Sequence, residues 1–237
     1  KALAMAWDVP FVGVNHMEAH LYAASLEDPT LEFPLLVLLV SGGHTMLIDM
    51  QGHGRYRLVG QTIDDAAGEA FDKVARFLDL GYPGGPAIDV AALEGDPEAI
   101  RFPRAMMDDG YDFSFSGLKT SVMNYVRKHP DVSSQDVAAS FQAAVVDVLV
   151  TKARRAAAEV GATGIVLGGG VAANSLLREQ VLDACERDGI QGFLPSRAMC
   201  TDNAAMIAAA GWHRLRSDGP TPLDVGATPN LRLPFID

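Results

Sequence analysis

From Phe33 onward the chain alternates dense apolar runs with glycine-bearing turns, and this alternation predicts its core. PLLVLLV (34–40), HTMLID (44–49) and YRLVGQT (56–62) read as three strands of an antiparallel meander, turned at Ser41-Gly42-Gly43 and Gly52-His53-Gly54. The period then lengthens. Apolar residues at 70, 71, 74, 77 and 78 give the segment from Asp64 to Leu78 one buried helical face. Gly81 to Pro86 is a turn that starts a helix from Ala87 to Leu93. Asp112 to Gly117 reads as an extended loop entering a helix from Leu118 to about Arg127. Ser133-Ser134-Gln135-Asp136 caps a long Ala- and Val-rich helix ending near Val160. A strand at 164–167, a loop at 168–173, a helix from Asn174 to about Arg187, a strand around 190–194 and a helix from Asp202 to about Arg216 complete the series. Ahead of the meander, Lys1 to Asp8 reads as a helix end and Pro10 to Asn15 as a short buried strand. A helix then runs to about Leu26 and is broken at Glu27-Asp28-Pro29-Thr30. The succession is that of one lobe of an actin-like ATPase fold in the α/β class; periodicity alone equally allows a generic α/β domain.

The helix after Asn15 carries His16-Met17-Glu18-Ala19-His20. Residues four apart share a helix face, so the two imidazoles can close on one metal ion. Glu18 points to the other side. The HExxH arrangement, with its glutamate directly after the first histidine, is therefore absent. Two imidazoles leave a divalent ion short of ligands, and a carboxylate with open positions would make a catalytic iron or zinc site. Spacing does not choose among Asp202, Asp72, Glu69 and His44 for that ligand, and Cys200 also qualifies; Asp202 equally reads as a helix N-cap.

Two glycine turns follow apolar strands, Ser41-Gly42-Gly43 and Gly168-Gly169-Gly170. Glycine lets backbone N–H groups approach phosphate oxygens closely, and a helix start beyond the second turn adds a favourable dipole. Glycine pairs also serve hairpins merely by reaching positive φ. Neither turn is a P-loop, and Ser41 does not sit in a GxSxG elbow.

Composition narrows the class of partner. The 237 residues are 49% hydrophobic and 21% charged, an ordinary globular balance with no apolar run long enough to cross a bilayer. Two cysteines, Cys185 and Cys200, form no CxxC pair, which fits a reducing cytoplasm. With 30 acids against 19 bases the net charge is -11, so the chain alone is expected to grip RNA weakly. Arg101, Arg104, Lys119, Arg127 and Lys128 are the one mid-chain basic cluster, equally readable as a solvated helix face.

Taken in order, HMEAH, LLVSGGHT, IDDAAGEAFDKVAR, GYPGGP, FSFSGLKT, LGGGVAANSLLR and TDNAAMIA closely resemble the TsaD family, the tRNA N6-adenosine threonylcarbamoyltransferases once described as O-sialoglycoprotein endopeptidases. The matching motifs run from residue 14 to 209. The resemblance implies an actin-like fold of two lobes, with a metal and a nucleotide-like substrate between them. It implies His16, His20 and Asp202 as ligands of one divalent metal, Fe(2+) before Zn(2+). It implies that Leu39, Val40, Ser41, Gly42 and Gly43 line the site of threonylcarbamoyl-AMP. Asp72 and Gly85 would contact the nucleoside, Asn174 would lie near the base, and Asp89 is a weaker candidate for the ribose. ATP or another adenine nucleotide would fit the same site.

The implied reaction moves the threonylcarbamoyl group to the N6 amine of the adenosine 3′ of the anticodon in tRNAs reading ANN codons. The implied partners are tRNA, TsaB-like and TsaE-like proteins, and a TsaC-like enzyme making the adenylate; no membrane is involved. Ala19 stands where the family motif usually has Gly, which leaves both histidines in place. The family begins with most of a first lobe, so residues 1–33 are expected to be its remnant and 34–237 the complete second lobe. Rival readings are a metalloprotease, a non-catalytic partner-binding paralogue, and carbamoyl transfer to a small antibiotic or sugar.

Overall fold

The structure is a computed structural model that describes residues 1–28, 30–229 and 231–236, so Pro29 of the expected helix break lies outside the described residues. Strand β1 (Leu35–Val40) is its axis, because every one of its residues is buried. Alternate side chains of a strand point to opposite faces. Leu36, Leu38 and Val40 enter one core, and Leu35, Val37 and Leu39 enter another. An apolar run without alternation is what a strand covered on both sides requires.

The expected meander forms. β1 pairs antiparallel with β2 (Thr45–Gly52), placing Val40 opposite Thr45, and β2 pairs antiparallel with β3 (Arg55–Gln61). On its other edge β1 pairs parallel with β4 (Gly164–Gly168), which pairs parallel with β5 (Gln191–Phe193). The sheet order is β3-β2-β1-β4-β5. The carboxyl ends of β1 and β4 therefore lie side by side, the edge at which open α/β sheets bind ligands.

The first core is closed by α3 (Ala67–Phe77), α4 (Gly84–Ala92), α5 (Ser116–Lys128), α6 (Ser134–Val160) and α7 (Ser175–Asp188). The boundaries follow local chemistry. Ser133 Oγ accepts the Asp136 N–H to start α6, and Gly161, at φ 65°, turns it off in the left-handed conformation that glycine adopts freely. The second core lies beneath α2 (His16–Leu21) and α9 (Ala204–Ser217), with α1 (Ala2–Trp7) preceding them and the short α8 (Arg197–Cys200) introducing α9. Helix α1 buries none of its residues.

Ahead of the meander, two expectations change. Pro10–Asn15 is not a strand: the Thr221 N–H donates to Phe11 O and the Gly13 N–H to Thr221 Oγ1, so an irregular segment takes the groups a ladder would use. The histidine helix ends at Leu21, and a separate 3-10 turn covers Ala24–Leu26. At the far end the chain returns to the edge of β3, where the Ile236 N–H donates to Tyr56 O.

Candidate metal and nucleotide site

Helix α2 starts where it does because Asn15 caps it. Its Oδ1 accepts the N–H groups of Met17 and Glu18 at 2.9 and 3.2 Å. Its Nδ2 donates to the carbonyls of Leu231 and Arg232, tying the returning chain to the helix start. His16 and His20 are thereby one turn apart with ring centroids 5.0 Å apart and edge-to-face.

Across from them stands Asp202. Its Oδ1 lies 3.1 Å from His16 Nε2 and 3.4 Å from His20 Nε2. Asp202 is not the helix cap. That role belongs to Asn203, whose Oδ1 accepts the Met206 N–H, and Asp202 projects one residue earlier with 76% of its side chain exposed. His20 is only 4% exposed. Burial pushes its pKa down and the neighbouring His16 pushes the same way, against a pull upward from Asp202. A neutral imidazole is the form that ligates. Its Nδ1 is buried without a hydrogen-bond partner, so the ring's one polar contact is made by Nε2, the atom aimed at Asp202.

The donor set fits a divalent ion. One ligand atom from each of the three residues lies within 4.8 Å of the others, and two imidazoles with one carboxylate leave positions open for substrate. The other carboxylate and thiol candidates are placed elsewhere. Glu69 pairs with Lys73 at 2.7 Å. Asp72 accepts the Gly84 N–H at 2.7 Å. Cys200 is buried against Pro195 O and Arg178, and burial pushes its thiol pKa up. His44 closes the glycine turn: its N–H donates to Ser41 Oγ and its carbonyl accepts the Ser41 N–H.

The two glycine turns meet. A Cβ on Gly169 would lie 2.5 Å from Val40 O, and Gly169 has φ 84° and ψ 167°, a region open essentially to glycine alone. A Cβ on Gly68, in the first turn of α3, would lie 2.5 Å from Ser41 O. The 41–43 turn is thus held between the 168–170 turn and α3, whose start is fixed by Thr45 Oγ1 accepting the Ala67 N–H. Gly42, Gly43, Gly85 and Gly170 face open space where a side chain would stand. Asp72 lies one turn beyond Gly68 on α3 and holds the N-terminus of α4, bringing Gly85 to the same region.

Asn174 and Asp89 are engaged with each other. Asn174 caps α7 by accepting the Leu177 N–H, and its Nδ2 donates to Gln142 Oε1 at 2.8 Å and Asp89 Oδ1 at 3.1 Å. Asp89 also accepts the N–H and hydroxyl of Ser175. Both residues shape the end of the second turn from inside the fold. Two of the five residues of the basic cluster are ion-paired, Arg104 with Asp147 and Lys119 with Asp65, both within 2.8 Å, while Arg101, Arg127 and Lys128 are exposed.

Sequence reasoning missed Glu18 as a structural centre. It is 1% exposed and bound by Arg214 Nε at 3.0 and 3.1 Å, 196 residues away in sequence. The signal available was its position, opposite the two histidines on a six-residue helix.

The family model for TsaD, tRNA N6-adenosine threonylcarbamoyltransferase, matches residues 1–209. The chain belongs to the TsaD family. Relatives bearing that enzyme name include those of Desulfitobacterium hafniense strain Y51, 54% identical over 98% of this chain and 70% of the relative, and Symbiobacterium thermophilum, 54% identical over 98% and 69%. The Thermotoga neapolitana enzyme is 52% identical over 98% of this chain and 71% of its own length. Among solved structures, T. kodakarensis HypF superposes with a TM-score of 0.71 over 92% of this chain and 38% of that one, at 17% identity. A full-length HypF in a phosphate- and nucleotide-bound form gives 0.70 over 93% of this chain and 46% of that one, at 14% identity. These two establish the fold alone, and they bear out the actin-like expectation for this TsaD chain.

Proposed function

We propose that this chain, as a TsaD-family transferase, moves the threonylcarbamoyl group of threonylcarbamoyl-AMP to the N6 amine of the adenosine 3′ of the anticodon in tRNAs reading ANN codons. The observation that carries this reading is the convergence of His16, His20 and Asp202 beside two glycine turns at the carboxyl ends of β1 and β4. In this reading residues 1–33 supply the histidine helix and 34–237 supply the turns and Asp202, so the site is built at the joint between them.

The amine forms a C–N bond to the carbamoyl carbon and the C–O bond to phosphate breaks. AMP carries off the electron pair, and one N6 proton is released to solvent. No covalent enzyme intermediate is needed. What the chain must do is hold the donor in line with the amine, which can account for about 7–11 kcal/mol of a barrier. We assign the backbone of Leu39, Val40, Ser41, Gly42 and Gly43 to the adenylate, because the two glycines leave space for a phosphate against their N–H groups. Gly85 and the Asp72 oxygen not used by Gly84 face the nucleoside. Asn174, with its amide committed to Asp89 and Gln142, acts by fixing the start of α7 near the base. ATP or another adenine nucleotide occupies the same cradle.

An ion held by His16, His20 and Asp202, Fe(2+) in our reading with Zn(2+) second, would supply Lewis acidity and orient the donor. The protease reading lacks a base: Met17 follows the first histidine, and Glu18 faces away into Arg214. The acidic net charge favours partner proteins lending an RNA surface, here TsaB-like and TsaE-like proteins, with a TsaC-like enzyme supplying the adenylate. We place the protein in the cytoplasm; among the described residues no helix is long and apolar enough to cross a membrane.

The test combines His16→Ala and His20→Ala. Metal content should fall to background while circular dichroism is unchanged, and labelled threonine should no longer reach tRNA when ATP and the partner proteins are supplied. Full metal retention by the double variant would refute the site.

A further inference from the structure

We infer that Glu18 and Arg214 are positioning residues for the metal centre: their ion pair sets how far α9 sits along α2, and so where Asp202 stands relative to His16 and His20. The inference rests on the reading of those three residues as metal ligands.

The ligands come from two helical elements that nothing in the sequence joins. His16 and His20 lie on α2, and Asp202 lies two residues before α9. The two elements pack directly. A Cβ on Gly211 would touch Val14 Cγ2 at 3.4 Å, and Met206 and Ala210 are fully buried against the α2 side of the core. Met206, Ala210 and Arg214 follow one another at four-residue spacing, so they form one stripe along α9. Small apolar contacts of this sort tolerate sliding. A charge-assisted hydrogen bond shared between both oxygens of a buried carboxylate is more directional.

Arg214 Nε reaches both Glu18 oxygens, while its Nη1 donates to Asp218 Oδ2 at 2.7 Å. The carboxylate also accepts the Tyr56 O–H at 3.0 Å. Tyr56 has one proton and gives it to Glu18, so the 2.8 Å contact between the tyrosine hydroxyls must be donated by Tyr22. The Gly54 N–H also donates to Tyr56 Oη. Three elements, α9, β3 and the residue after α2, therefore converge on the side of α2 opposite its histidines.

Magnitude makes this more than packing. A helix advances about 1.5 Å per residue, whereas metal-ligand bonds tolerate about 0.2 Å. A slip of α9 by a fraction of one residue would leave the hydrophobic core almost unchanged and still take Asp202 out of the coordination sphere. The pair that blocks such a slip lies on the far side of α2, where it can touch neither metal nor substrate.

The experiment titrates the metal-free chain with Co(2+), reading affinity and the ligand-field absorption bands, beside circular dichroism and thermal unfolding without metal. Glu18→Gln keeps the shape and removes the charge. It should weaken Co(2+) binding about 10–100-fold and alter the bands of the bound form, the range seen when groups supporting metal ligands are removed. Arg214→Gln should do the same, and the double variant should be no worse than the weaker single, since both act through one contact. A purely structural pair would lower the melting point and leave the bands of the folded, loaded fraction untouched. That result, or losses that multiply in the double variant, overturns the inference. Should Glu18→Gln fail to fold, Tyr56→Phe removes one donor to the same carboxylate and must shift the bands in the same direction. Wild-type chain that takes up no Co(2+), or takes it up equally after loss of both histidines, would instead overturn the metal reading itself.

Discussion

Gly169 offers the sharpest check on how the site is assembled. Replacing it by Ala places a methyl group 2.5 Å from Val40 O and 2.9 Å from Val40 C, at a backbone position with φ 84° and ψ 167°. Holding a residue with a Cβ in that region costs about 1–3 kcal/mol. Relieving the overlap by moving one turn off the other adds about 1–3 kcal/mol, as overpacking does elsewhere. The contact cannot be relieved by a rotamer, because both atoms it strikes belong to the backbone of β1. A total near 4 kcal/mol corresponds to a fall in Tm of about 8–16 °C for a chain of this size. Gly42→Ala is the control, because nothing lies within 4 Å of the added carbon and Gly42 does not have a positive φ. It should melt within about 2 °C of the parent and yet bind adenine nucleotide more weakly, since its methyl enters the proposed cradle. Differential scanning calorimetry and isothermal titration with ATP separate the two effects. Gly169→Ala melting with the parent, or Gly42→Ala losing as much stability, would refute the close apposition of the two turns.

Lys152 is buried in α6, and its ammonium donates to the carbonyls of Asp109, Gly110 and Asp112 at 3.0, 3.3 and 2.6 Å. Lys152→Met should strand those acceptors at a cost of about 3 kcal/mol, lowering Tm by about 6–12 °C; an unchanged melt would show that the loop repairs itself. Arg154 holds Asp188 through two bonds of 2.7 and 2.5 Å, and this contact keeps the aspartate pKa below its ordinary value. A depressed folded pKa gives stability that is present above the unfolded value and lost as pH falls through the folded one. Arg154→Met should therefore lower stability by about 0.5–1 kcal/mol at pH 7, with the difference from the parent shrinking below about pH 4 in acid-titrated thermal melts. A difference that persisted at pH 2 would contradict this account.

Much of the fold was legible because its cues are local. The unbroken apolar run of β1 announces a strand buried on both faces, the spacing of Phe71, Val74 and Phe77 announces α3, and Ser133 with Gly161 brackets α6. Where reading failed, the deciding partner lay far along the chain. Pro10–Asn15 has the composition of a strand, but its backbone groups are taken by Thr221. The expected start of α9 lies two residues early because Asp202 and Asn203 are both good caps, and only geometry shows that Asn203 does the capping.

The choice of Asn203 as cap bears on the site itself. A carboxylate used as an N-cap would be turned back onto the N–H groups of its own helix; released from that duty by Asn203, Asp202 is free to face His16 and His20. The motif HMEAH showed which imidazoles share a helix face, but a helix carries no information about what stands across from it. In this chain that information is held by Glu18, which points away from the histidines and engages Arg214 on the same helix that Asp202 precedes. The histidine-bearing side of α2 and the side that carries Glu18 are parts of one device in our proposal, because a six-residue helix has too few contacts of its own to fix the position of its side chains. We infer that its orientation is imposed by the partner helix through the contact between the buried Glu18 carboxylate and the half-buried Arg214.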